Sequence, residues 1–211
     1  MKAQTTTNGT SLLPRLVIPR LAIRGALLAA LLPFAAAAQE APKDGEIFAA
    51  LTGDWNGDGT QDAAMLVQNG ADAADLVIYL GDPTFGLKRE MTVKRVVFSG
   101  QMGGQTPALE PLSDSAFKLH SEQIGIGRTP WESAYSIAWR NGGFVVSGYS
   151  YRYYDRIDPE DTGTCDVNLL NGDYVMTRRG QTAKGSQDRR AFPLSTLHAD
   201  WMPMICTGLF Q

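Results

Sequence analysis

From Glu46 onward the apolar residues come in short runs broken by Gly, Asn and Asp, and almost nowhere do they keep a helical period. Punctuation of that kind fits strands of about four to eight residues joined by turns. The runs at 47–51, 62–67 and 75–80 follow one another with only turn-forming residues between them, which predicts a meander. Residues 91–98, with Thr92, Val93, Val96 and Val97, extend it as a fourth strand, and the Gly-, Gln-, Pro- and Ser-rich residues 99–114 make a long loop or an edge segment. Further on, 116–120 and 133–139 alternate, and Asn141-Gly142 supplies a hairpin turn before the run 144–154. Asn171-Gly172 repeats the device between 167–170 and 174–177. Only 195–202 reads as helix, with Ser195 or Thr196 as cap and Leu197 and Trp201 four apart. The fold expected for 46–211 is therefore mainly β: a single compact antiparallel domain of meanders and hairpins, sandwich-like or blade-like, with at most one short C-terminal helix.

Ahead of that domain, residues 1–38 hold Lys2, Arg15, Arg20 and Arg24, no acid, and a charge-free run of 14 residues from Gly25 to Ala38. A helix of that length spans only about 21 Å against a hydrocarbon core of about 30 Å. The segment reads as a secretory signal peptide cleaved near Ala38, with 39–45 as a polar leader. The expected destination is the periplasm or the exterior, with no stable membrane insertion of the mature chain. Four of the 19 basic residues leave with the signal peptide while all 22 acids stay, so the mature 173 residues carry a net charge of about −7. An acidic chain repels phosphate backbones, and the one basic cluster, Arg178, Arg179, Lys184, Arg189 and Arg190, reads as a solvated loop, which argues against a nucleic-acid partner.

Both cysteines, Cys165 and Cys206, lie in the exported part without metal-type spacing. In an oxidising compartment they most simply pair, tying the C-terminal tail to the middle of the fold; the alternative is two separately buried thiols.

The segment 54–62, DWNGDGTQD, carries oxygen-bearing side chains at loop positions 1, 3, 5 and 9 and glycine at position 6. Calcium takes six to eight oxygens at about 2.4 Å, and alternate side chains of a tightly curled loop point inward to supply them. Position 12, which an EF-hand fills with a bidentate Glu, is Met65 and already in a strand, so an EF-hand is not expected. From 51 to 67 the sequence resembles the FG-GAP or VCBS-type calcium loop of integrin-like β-propeller repeats. By that resemblance one calcium ion is held by Asp54, Asn56, Asp58 and Asp62 through side chains and by Thr60 through its carbonyl. The alternative is an Asx-rich turn that holds no ion. The likeness covers one repeat only, and 173 residues cannot build a seven-bladed propeller at about 40 residues per blade. Residues 117–176 are in addition similar to small exported bacterial proteins, which supports one compact secreted β domain and implies no activity.

Three further groups bear on function. Tyr149, Tyr151 and Tyr153 share one face of the run 144–154 and, with Trp131, could form a ligand surface for sugar rings or peptide, or could pack against a second sheet. His120 and His198 are the only histidines, and no metal-type spacing surrounds either. Strand neighbours of His120 point to opposite faces, which argues against a catalytic constellation with them. The acids Asp155, Asp158, Glu160, Asp161 and Asp166 read as a solvated stretch with Arg152 and Arg156 as ion partners. These readings favour an exported, calcium-stabilised β-rich binding or envelope protein without catalytic activity, whose partner is a protein or a glycan. The rival is a small secreted hydrolase, glycan-directed, whose carboxylates converge only in the fold.

Overall fold

The computed structural model describes residues 45–210, so the expected signal peptide, its expected cleavage near Ala38 and nearly all of the expected polar leader fall outside the described residues. Four strands, β1 (Ile47–Gly53), β2 (Asp62–Gln68), β3 (Ala73–Asp82) and β4 (Gly86–Phe98), form one antiparallel sheet in chain order. The second sheet runs β5 (Ala108–Ser113), β6 (Ala116–Gln123), β7 (Trp131–Arg140), β8 (Gly143–Tyr154), β9 (Thr162–Asn168), β10 (Asp173–Arg178) and β11 (Gln181–Ser186), again in chain order. A two-residue strand, β12 (Phe192–Pro193), pairs with Val145 and Val146 of β8 beyond the reach of β9. Two meanders account for strands β1 to β11, and only β12 and the C-terminal turns lie off them.

Alternation decides what each sheet buries. On the small sheet Ala64 and Leu66 of β2 lie opposite Ile78 and Leu76 of β3, and all four are fully buried. On the large sheet Phe117, Leu119, Ile137 and Val146 do the same, and both sets belong to one core. Trp55 is buried in that core, its ring 4.7 Å from Phe117 and 6.2 Å from Phe144. Each such Leu, Ile, Val or Phe side chain contributes roughly 1.5–3 kcal/mol by leaving water.

The hairpin turn at Asn141-Gly142 is as expected: both residues take positive φ, 52° and 82°, while Arg140 pairs with Gly143. The helix expected over 195–202 does not form. A 3-10 turn covers Leu194–Thr196 and a second covers Met204–Phe210, and Leu197 already has extended backbone, φ −70° and ψ 139°. Thr196 returns its hydroxyl to the carbonyl of Pro193 at 2.9 Å and so caps nothing. The four-residue spacing of Leu197 and Trp201 serves a strap instead: Leu197 is buried, and Trp201 packs 4.6 Å from Phe192 and 6.0 Å from Tyr149. The disulfide joins Cys165 of β9 to Cys206 of the second 3-10 turn, as the compartment argument predicts. By chain entropy, closing a loop of 41 residues stabilises the fold by about 4 kcal/mol.

Candidate functional site

The loop of residues 54–62 closes the β1–β2 hairpin, with Gly53 paired to Asp62 at its base. Its side chains curl inward onto the loop's own backbone. Both carboxylate oxygens of Asp54 accept N–H groups, from Asp58 at 3.0 Å and Gly59 at 2.9 Å. Asn56 accepts from the Asp58 N–H at 3.0 Å and donates its amide to the Asp58 carboxylate at 2.8 Å. Asp58 in turn accepts the Thr60 N–H at 2.8 Å and the Thr60 hydroxyl. The Thr60 hydroxyl and N–H and the Asn56 amide hold the Asp58 carboxyl below its ordinary value of 3.8. Gly59, at φ 87°, makes the sharp turn that a side chain would strain.

Asp62 has a second duty that its motif position does not reveal. It sits at the core-facing end of β2, fully buried, where its two oxygens accept the N–H of Trp55 at 2.9 Å and of Gly81 at 3.0 Å. Those bonds pin Trp55 between the sheets and clamp β3 to the loop. The approach is close enough that a Cβ on Gly81 would lie 2.7 Å from the Gln61 carbonyl oxygen. Asp54, Asn56, Asp58, Thr60 and Asp62 are thus brought together in one curl. Their carboxylates are spread over backbone donors, though: among the described residues, the only His, Cys, Asp or Glu group with three ligand atoms mutually within 4.8 Å is His120, Glu122 and Glu132.

The aromatic row faces inward. Tyr149 and Tyr153 are buried, and Tyr151 and Trp131 half-buried and stacked at 6.4 Å. Phe210 covers Tyr151 and Tyr153 at 5.7 and 6.0 Å, and Phe98 of β4 lies 5.8 Å from Trp131. Burial pushes the Tyr151 phenol up to about 12 and raises those of Tyr149 and Tyr153. Most of the row is thus packed inside, while Trp131, Tyr149 and Tyr151 line, together with Trp201, a cleft of about 290 Å³.

The open surface is the opposite face of the large sheet. Small side chains at its centre, Ala138, Ser136, Gly148 and Ser150, leave a groove of about 530 Å³, rimmed by Lys118, Arg140 and Asp166. It adjoins a pocket of about 300 Å³ lined by His120, Glu132, Arg152 and again Lys118 and Asp166. Loss of water raises the carboxyl of Asp166, against the pull of the Lys118 ammonium.

The acidic stretch is paired differently from its expected partners. Arg128 binds Asp155 at 2.6 Å, and Arg179 reaches Asp158 at 3.2 Å and Asp161 at 3.6 Å. Arg152 pairs with Glu132, and Arg156 donates to the Ile124 carbonyl at 2.6 Å. Asp166 lies apart from the loop, on β9. In the basic cluster, Lys184 belongs to the exposed strand β11 where a loop was expected. The histidine reading needs correction too. Ser121 does point away from His120, donating inward to the Phe98 carbonyl at 3.0 Å, but Glu122, two residues along, shares the outer face with His120 and with Glu132 of β7. A His-x-Glu pair on a strand was the available signal; the third member depends on the register of the neighbouring strand.

Among the described residues no helix is long and apolar enough to cross a membrane, and the disulfide points to an oxidising environment. Comparison with protein-family models, curated proteins and solved structures gives no match.

Proposed function

We propose that the chain is an exported, disulfide-closed β domain that holds one calcium ion in the loop of residues 54–62 and works by binding a protein or glycan partner rather than by catalysis. The observation that carries the reading is a charge imbalance. Asp54, Asp58 and Asp62 fall within nine residues, and among the described residues none of them makes an ion pair with a basic side chain. A divalent cation supplies the missing charge. The oxygens of Asp54 and Asp62 each carry one N–H bond and keep a free lone pair, and Asp58 joins them by giving up the Thr60 hydroxyl. The likeness of 51–67 to FG-GAP or VCBS-type loops assigns the same ligands, with Thr60 adding its carbonyl. The composition of 1–38 and the disulfide support export to the periplasm or beyond, and the groove on the large sheet is the surface we propose for the partner.

Direct binding tests this reading. Terbium, which occupies calcium sites, should bind one equivalent with luminescence sensitised by the loop's own Trp55, be displaced by millimolar calcium, and fail to bind Asp54→Ala. A wild-type chain that shows no sensitised signal, or an Asp54→Ala chain that shows the same signal, would overturn it.

One observation favours the hydrolase reading: Asp166, whose carboxyl is raised by loss of water, shares a pocket with Glu132, and glycoside hydrolysis uses a pair of carboxyl groups. Loss of a glycan-cleaving activity on Asp166→Asn would establish that alternative.

A further inference from the structure

The outer face of the large sheet holds a second ligand set, independent of the calcium loop. In the β6–β7 register Glu122 lies directly opposite Glu132, and His120, two residues along β6, projects from the same face. One ligand atom from each of the three lies within 4.8 Å of the others. We propose that His120, Glu122 and Glu132 bind a divalent first-row transition ion, zinc in the first instance.

Like charges directly opposite on paired strands destabilise a sheet unless a cation joins them. Arg152, across from Glu132 on β8, satisfies part of this by pairing with Glu132 Oε1. Oε2 of Glu132 remains, and no side-chain cation lies within ion-pairing distance of Glu122 among the described residues. The imidazole does not close the set by hydrogen bonding, since His120 Nε2 stands 3.7 Å from Glu132 Oε2, beyond hydrogen-bond range. That separation suits a shared metal better: tetrahedral bonds of about 2.0–2.1 Å put neighbouring ligand atoms roughly 3.4 Å apart. The His120 and Glu132 side chains are only 20% and 21% exposed, and all three ligands stand on paired strands, so little reorganisation separates this arrangement from a bound one.

Ligand chemistry selects the ion. One imidazole nitrogen with two carboxylates suits zinc and its neighbours, whereas calcium and magnesium prefer oxygen alone. Three protein ligands leave a fourth position, and two of them, His120 and Glu132, also line the pocket of about 300 Å³ with Lys118 and Asp166. A water or a donor atom of a bound ligand fills it.

The test uses the mature chain without a polyhistidine tag, stripped of metal and held in millimolar calcium so that the loop is saturated. Cobalt(II) followed by its visible absorption, then zinc by calorimetry, should each bind at one equivalent with a Kd near or below ~1 µM. His120→Ala and Glu122→Gln should each weaken binding at least ~10-fold. Both changes lie on the outer face of the sheet, and melting curves of the two variants should match the metal-free wild type. One equivalent of zinc should shift the His120 imidazole resonances in the wild-type chain and leave those of His198 in place. Asp58→Ala should bind zinc as the wild type does. Absence of stoichiometric binding, unaltered affinity in both cluster variants, or an unmoved His120 resonance would each overturn the proposal. So would loss of zinc in Asp58→Ala, which would put the ion in the loop.

Discussion

Two loops of this domain are rich in aspartate and close on themselves by the same local device, but they balance charge in opposite ways. In residues 155–161, Asp155 accepts the N–H of Ile157 at 2.7 Å and of Asp158 at 3.1 Å, much as Asp54 accepts those of Asp58 and Gly59. There the protein brings its own cations, Arg128 and Arg179, and the disulfide at Cys165 secures the strand that follows. Among the described residues, 54–62 has neither a basic partner nor a covalent staple. The first set of carboxylates is matched from within; the second is the one for which calcium is proposed.

The largest effect that can separate the two loops is reduction of the disulfide. It should cost about 4 kcal/mol. Hydrogen exchange should quicken in β9 and residues 155–161 at low denaturant before it does in residues 54–62; uniform loosening of both loops would break the comparison. Next comes Asp62→Ala, which strips the acceptor from two buried N–H groups, those of Trp55 and Gly81. A loss of roughly 2–4 kcal/mol is expected, most of it present in chelator as well as in calcium, measured by urea unfolding. A neutral result would remove Asp62 from its structural role.

Acid gives the smallest and most local separation. The Asp155 carboxyl is held below its ordinary value of 3.8 by the Ile157 and Asp158 N–H groups and by Arg128. A carboxyl depressed on folding contributes stability that is fully present above the unfolded value and is lost as pH falls through the folded one. The Ile157 and Asp158 amides should therefore stay protected down to about pH 4 and lose protection below it. Protection lost already at pH 5 would mean that Arg128 and the turn do not hold Asp155 as described.

Much of this architecture can be read in advance because strand period and turn chemistry are local properties. Val93, Val96 and Val97 mark β4, and Asn141-Gly142 sets the β7–β8 register through two positive φ angles. What stays hidden depends on neighbours. Strand β11 has no apolar alternation in QTAKGS and exists because β10 offers it an edge. Leu197 and Trp201 have helical spacing, but the cavity they fill is that of a strap over Tyr135 and Tyr149. In the loop, residue types and spacing anticipate the inward curl of Asp54, Asn56 and Asp58; they carry no sign that Asp62 also accepts from Gly81, because that depends on where β3 lies beside the loop. The His120 cluster is legible only once β6 and β7 are in register.

The central claim rests on calcium in residues 54–62, and paired melting curves test it most directly. With calcium at ten times its Kd, linkage adds about 1.4 kcal/mol. For a domain of this size that is a rise of about 3–6 °C over the same chain in chelator. The wild-type chain should show that gap and Asp58→Ala should not. Superimposed wild-type curves in millimolar calcium and in chelator would contradict the account.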